Sequence, residues 1–191
     1  MAKYKLGIIV GSNRRESLNR KLAQALARLG SDHFDAKIIR IDDLPMYNQD
    51  LEASLPESVS RFKAQIEAND GILIVTPEHT RSIPAVLKNA IDWGARPWGK
   101  NSWTGKPAAI TGTSPGAIGT AVAQQHLRQI LGVLGMTVMG GEAYINFKPD
   151  LIDASGAITD ETTEGFLKAY VDQFAALVRR FAPAQREAAA A

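Results

Sequence analysis

Five short apolar runs punctuate the chain, at about 4–10, 36–41, 71–76, 107–113 and 135–139, and each is followed by room for a helix. That alternation predicts a parallel sheet with helices on both faces. The first helix is expected over 18–29. Leu18, Leu22, Ala25, Leu26 and Leu29 share one stripe there, Arg20, Lys21, Gln24 and Arg28 lie mostly elsewhere, and Gly30 stops the helix. A second is expected over about 56–68 with Val59, Phe62 and Ile66 inward, and a third begins near Ser82–Pro84 and carries AVLKNAIDW. A fourth covers about 119–134. The last, about 161–181, has Phe166, Tyr170, Phe174, Leu177 and Phe181 as its apolar stripe.

These elements fill residues 1–182 as one domain, and 183–191, ending in AQREAAAA, is expected as a frayed or disordered tail. Five strands alternating with helices in this length fit an α/β doubly wound sheet of order 2-1-3-4-5. Such sheets take ligands outside the carboxyl ends of the strands, at the switch between the first and third. Three loops are then informative: GSNRRESLN after the first strand, TPEHTRSIP after the third and GTSPGAIG after the fourth.

Composition narrows the chemistry. With 191 residues, 45% apolar and 22% charged, the chain can bury a large single core, and a net charge of +2 gives no reason to expect a nucleic-acid or membrane partner. The absence of cysteine removes thiolate nucleophiles, disulfides and cysteine-held metals. His33, His79 and His126 are too scattered to suggest a metal site. No signal peptide or membrane span is apparent, so a cytoplasmic location is expected.

The first loop joins a buried strand to a helix, a layout in which free backbone N–H groups and the helix dipole favour a phosphate. Ser12, Ser17 and Asn19 add short donors and Arg14 a fixed positive charge. Gly11 is its only glycine, so it matches neither the nucleotide loop ending in Lys-Ser/Thr nor the three-glycine dinucleotide fingerprint. The competing reading makes Ser17 a helix cap and leaves Arg14 and Arg15 solvated; Glu16 speaks for it. The second loop, Thr76-Pro77-Glu78-His79-Thr80, must emerge at the same sheet edge, as ligand contact or as a structural turn with Ser82 as cap. In the third, Pro115-Gly116 among small neighbours lets a ligand approach the backbone. Together the loops describe a crevice with a phosphate end and a flat end, suited to a phosphate on a planar ring system. Trp93, Trp98 and Trp103 read as core or subunit contact rather than as ring-stacking residues.

GSNRRESLN resembles the GSxRxxSxN phosphate loop of the NADPH-dependent FMN reductase family. TPEHTRSIPAVLKNAIDW is similar to that family's PEYNxSIPGxLKNxxDW segment, and GTSPGAIGTAVAQQHLR to its third flavin loop and following helix. The closest likeness is to the flavodoxin-like quinone, chromate and azo-dye reductases, over roughly residues 5–145. The resemblance implies non-covalent FMN with Ser12, Arg14, Ser17, Leu18 and Asn19 at the phosphate. Pro77, Glu78, His79 and Thr80 would border the isoalloxazine and ribityl chain, and Thr113, Ser114, Pro115, Gly116 and Gly119 the pyrimidine side. His79-Thr80 replaces the family's Tyr-Asn pair, and Ala85 replaces a Gly.

The activity implied is hydride transfer from NADPH or NADH to bound FMN, then reduction of quinones, chromate, azo or nitro compounds or free flavin in the same place, by a ping-pong scheme. No catalytic side chain and no metal are implied. A homodimer, or a dimer of dimers, is. LPMYNQDLE, with Tyr47 and Asn48, is either the roof of the acceptor site or a plain surface loop. The rival function is a non-catalytic flavin-binding electron carrier or redox sensor. A phosphotransfer receiver would need an Asp where Thr76-Pro77 stands, and a low-molecular-weight phosphatase would need a cysteine.

Overall fold

β1 (Tyr4–Val10) and β3 (Gly71–Val75) are apolar along nearly their whole length because both faces of the sheet are covered there. The computed structural model describes the backbone of residues 3–190 and the side chains of 3–182, so the expected tail, 183–191, falls outside the side chains described. The remaining elements are α1 (Leu18–Leu29), β2 (Phe34–Ile39), a 3-10 helix (Gln49–Ala53), α2 (Glu57–Glu67), α3 (Ala85–Ala95), β4 (Pro107–Ser114), α4 (Ala121–Val133), β5 (Thr137–Val138), β6 (Tyr144–Asn146) and α5 (Glu161–Ala190). The sheet order is β2-β1-β3-β4-β5, all parallel, as the alternation of runs predicts. One core packs α1 and α5 on one face, and a second packs α2, α3 and α4 on the other. Among the described residues no helix is long and apolar enough to cross a membrane.

The last strand departs from its expected course. The run 135–139 pairs with β4 through Thr137 and Val138, with a last bond from Met139 N–H to Ala108 O (2.7 Å); the chain then swings away through Gly140 and Gly141, the latter at φ +84°, and returns as β6 against Gly112–Ser114. Between the two pairings Ile110, whose register partner on the other side is Ile74 of β3, faces no strand on this side. Tyr170 of α5 fills the gap: its hydroxyl donates to Ile110 O (2.6 Å) and accepts from Ile110 N–H (3.2 Å).

The apolar face of α5 is rotated in part from the expected one. Tyr170 and Phe174 are buried and Leu177 packs on the core as expected, but Phe166 is 47% exposed, and Leu167, Val171, Ala175, Val178 and Ala182 are buried instead. Two glycines select this face. A Cβ on Gly30 would lie 2.8 Å from Val171 Cγ1 and one on Gly71 2.7 Å from Val178 Cγ2, so the missing side chains make room for the two valines.

Candidate functional site

The loops after β1, β3 and β4 meet at the carboxyl end of the sheet around a cleft of about 540 Å³. Close backbone approach brings them together. Gly11 N–H donates to Val75 O (2.9 Å), and a Cβ on Gly11 would stand 2.6 Å from Thr76 Oγ1. A Cβ on Gly112 would collide with the Thr76 carbonyl. Of the residues expected at the site, Ser12, Arg14, Ser17, Leu18, Asn19, Pro77, Glu78, His79, Thr113, Ser114 and Pro115 line this cleft. Thr80, Gly116 and Gly119 do not.

At the α1 end, Ser17 is buried and its Oγ accepts from Arg20 N–H (3.2 Å), so Ser17 is a helix cap. Capping uses the oxygen and leaves the hydroxyl hydrogen to donate elsewhere, so the cap and anion readings coexist. The N–H groups of Leu18 and Asn19 belong to the first turn, which has no carbonyl partners for them and no acidic residue. Arg14 is exposed at the rim. The Asn19 amide is engaged across the cleft floor, where Nδ2 donates to Thr113 O (2.9 Å) and Oδ1 accepts from Thr113 N–H (2.9 Å). Its side chain thus ties the first loop to the third, and its backbone N–H belongs to the first turn of α1.

The second loop turns on itself. His79 and Ser82 exchange backbone hydrogen bonds of 3.0 Å each way, with Thr80 at φ +51° and Arg81 at φ +61° between them. Two consecutive positive φ angles are the requirement of a type I′ turn, which favours Asn and Gly and strains a β-branched residue. Glu78 holds the turn to its surroundings. Oε1 accepts from Arg81 Nη1 (3.0 Å), and Oε2 accepts from Val122 N–H (3.0 Å) and Ala123 N–H (3.1 Å), capping α4, where Thr120 makes no side-chain cap. Thr80→Asn is expected to stabilise the protein by about 1 kcal/mol, visible as a melting point raised by roughly 2–4 °C. An unchanged or lower melting point would show that the turn carries no strain.

In the third loop Thr113 is buried, with Oγ1 donating to Ile145 O (2.8 Å), and Ser114 Oγ donates to Gly119 O (2.7 Å). Gly116 and Gly119 shape the loop from behind. Gly116 O accepts from Asn146 Nδ2 (3.0 Å), and Gly119, at φ +63°, packs against the Tyr144–Ile145 backbone. Asn13, Pro84, Ala85 and Val86 also line the cleft, beyond the residues expected, as does Gly11. The signal for Pro84–Val86 is the Pro that opens α3 directly beneath the second loop.

Tyr47 and Asn48 do not line the cleft of their own chain. Tyr47 packs edge-on against Trp93 (5.0 Å between ring centres) and donates its hydroxyl to Glu52 Oε1 (2.7 Å), while Asn48 caps the 3-10 helix. Trp93 and Trp103 are core residues and Trp98 is 88% exposed.

One end of the cleft thus offers hydroxyls, free N–H groups and a guanidinium; the other offers Pro77, Pro84, Val86 and Pro115. That donor set suits a phosphate joined to a flat ring, and FMN fits both ends. The profile of the NADPH-dependent FMN reductase family matches residues 4–150. The chain is 49% identical over 176 residues to a 2-hydroxy-1,4-benzoquinone reductase of Burkholderia sp, covering 92% of this chain and 96% of that protein. It is 48% identical over 178 residues to a quinone reductase of Pseudomonas putida, covering 92% and 95%. Among solved structures, FerB, a flavoenzyme NAD(P)H:(acceptor) oxidoreductase from Paracoccus denitrificans, superposes with a TM-score of 0.90 at 46% identity, over 93% of this chain and 98% of that one.

Proposed function

The chain belongs to the NADPH-dependent FMN reductase family, and on that premise we propose that it is an oxidoreductase that uses NAD(P)H and bound FMN to reduce quinones. The observation that carries this reading is the single cleft in which all three carboxyl-end loops present a phosphate-binding end and an apolar end. Ser12, Arg14, the Ser17 hydroxyl and the N–H groups of Leu18 and Asn19 would hold the phosphate. Pro77 to His79 and Thr113 to Pro115 would flank the ring. When bound, FMN supplies the hydride chemistry, and the protein supplies position and hydrogen bonding.

The chain's own part is to keep one open end of the cleft for donor and acceptor in turn. Exposed His79, where the family usually has Tyr, sits at that end. Donor and acceptor sharing one place implies ping-pong kinetics. We further propose a homodimer, supported by the exposed Trp98 and Met46, the latter 73% accessible.

The test is a flavin titration of the apoprotein followed by fluorescence. Arg14→Ala is expected to weaken FMN binding about tenfold and to reduce its salt dependence, with turnover recovered at saturating FMN. His79→Tyr is expected to leave FMN affinity nearly intact and to change acceptor preference. Reciprocal plots at several quinone concentrations should be parallel. A protein that takes up no FMN, or plots that intersect, would overturn the flavin site or the shared place respectively.

A further inference from the structure

Reduction of a quinone to a hydroquinone needs one proton more than a hydride brings. A hydride equivalent, for which NAD(P)H is the source, delivers both electrons and one hydrogen, and the remaining oxygen must take a proton from the protein or from water.

Among the described residues, three titratable side chains line the cleft: Arg14, Glu78 and His79. Arg14 keeps its proton at any working pH. Glu78 is fully engaged. Its Oε1 accepts from Arg81 Nη1 (3.0 Å) and its Oε2 from Val122 N–H (3.0 Å) and Ala123 N–H (3.1 Å), so it is an acceptor already taken, with no proton to give. His79 is left. Its backbone closes the turn with Ser82, but its imidazole enters no hydrogen bond or ion pair among the described residues. Histidine is the side chain whose ordinary range lets it hold and release a proton between about pH 5 and 8.

The surroundings of His79 suit that task. It lines the cleft with Pro77, Pro84 and Val86, at the apolar end, and it is exposed, so water can return a proton to it. The charged neighbours on its own loop, Glu78 and Arg81, are paired with each other. On α3 the first charged side chain, Lys88, is paired with Asp92 (2.7 Å). On α4, His126 Nδ1 lies 2.8 Å from Ser82 Oγ, and His126 does not line the cleft. His33 is paired with Asp172 of α5 (2.8 Å). Of the chain's three histidines, His79 alone borders the cleft.

We propose that His79 is the proton donor in quinone reduction, a catalytic residue where the family likeness implies none; the role rests on the function proposed above. As the quinone takes up a hydride equivalent, the N–H bond of the His79 imidazolium breaks and an O–H bond forms on the quinone oxygen. Water reprotonates the neutral imidazole, so each turnover consumes one proton and leaves His79 as it began.

The experiment compares quinone with ferricyanide, which accepts electrons and no proton, as acceptors for FMN-loaded protein, with rates taken per bound FMN. In His79→Gln the ratio of the quinone rate to the ferricyanide rate is expected to fall about 100-fold. In the parent that ratio should fall as pH rises through about 5–8; the dependence should be lost in His79→Gln and kept in His126→Gln. His79→Tyr restores a donor that stays protonated in this range, so its ratio should lie above that of His79→Gln and be flat with pH. A readout apart from turnover is the NMR signal of the His79 ring. It should shift when hydroquinone is added, without NAD(P)H, at a concentration that inhibits the parent. An unchanged ratio in His79→Gln, a pH dependence that goes with His126 instead, or an unmoved ring signal overturns the role of His79 and leaves the flavin reading intact. A parent that binds no FMN overturns both.

Discussion

Asn19→Ala is expected to destabilise the protein by about 3 kcal/mol and to weaken FMN binding 10- to 100-fold, because one amide side chain closes the hydrogen bonding of a backbone it is far from in sequence. Asn19 and Thr113 are both almost fully buried, and the Asn19 amide satisfies the N–H and the carbonyl of Thr113 at 2.9 Å each. Alanine leaves both groups without a partner and without water, at roughly 1–3 kcal/mol each. At roughly 2–4 °C per kcal/mol in a domain of this size, the melting point should fall by about 6–12 °C. The loss also reaches the cleft, since Thr113 is held on its other side to Ile145 of β6, and the first and third loops would no longer be tied. Asn19→Asp tests the amide itself. It keeps the acceptor for Thr113 N–H but sets a second oxygen against Thr113 O and buries a charge, so it should melt no higher than Asn19→Ala, and a carboxylate in the cleft floor should weaken FMN binding at least as much. Melting without flavin and titration with FMN read the two quantities independently. An alanine variant with the parent's melting point would show that the Asn19 bridge does not hold the loops.

This bridge marks the boundary of what can be read along the chain. Periodicity finds α1 to the residue and the inward Val59, Phe62 and Ile66 of α2, because each depends on neighbours within two turns. Strand order follows from the alternation of runs. The three loops stand out because Gly, Pro and short polar residues interrupt apolar strands, and the cleft gathers most of their residues. What the sequence hides is set at long range. Nothing local tells that Glu78 caps a helix that begins at Ala121, or that Asn19 spends its amide on Thr113. The broad apolar surface of α5 admits two faces, and only the space above Gly30 and Gly71 chooses between them. The break between β5 and β6 has a local sign in Gly140-Gly141, but the group that fills it lies in the last helix.

That group supplies the second large effect. Tyr170→Phe is expected to cost about 2 kcal/mol, or roughly 4–8 °C in melting point, by leaving the buried Ile110 N–H and carbonyl without the hydroxyl that serves both. The cost should depend on pH in one direction. Burial is the main reason that the Tyr170 hydroxyl is pushed from its ordinary 10.0 up to about 12. Below pH 10 the phenol is protonated in both folded and unfolded chains and its contribution is fully present. Between pH 10 and about 12 the unfolded chain gives up a proton that the folded chain keeps, so stability falls as pH rises through that window. Phenylalanine has no such proton, and the tyrosines common to both proteins cancel in the comparison. The gap between parent and variant should therefore be constant up to pH 10 and narrow above it. Denaturant midpoints measured at equal flavin occupancy across that range check this. A gap that stays constant above pH 10 would mean that Tyr170 ionises as freely in the fold as in the unfolded chain, and that the strand break is closed by something other than its hydroxyl.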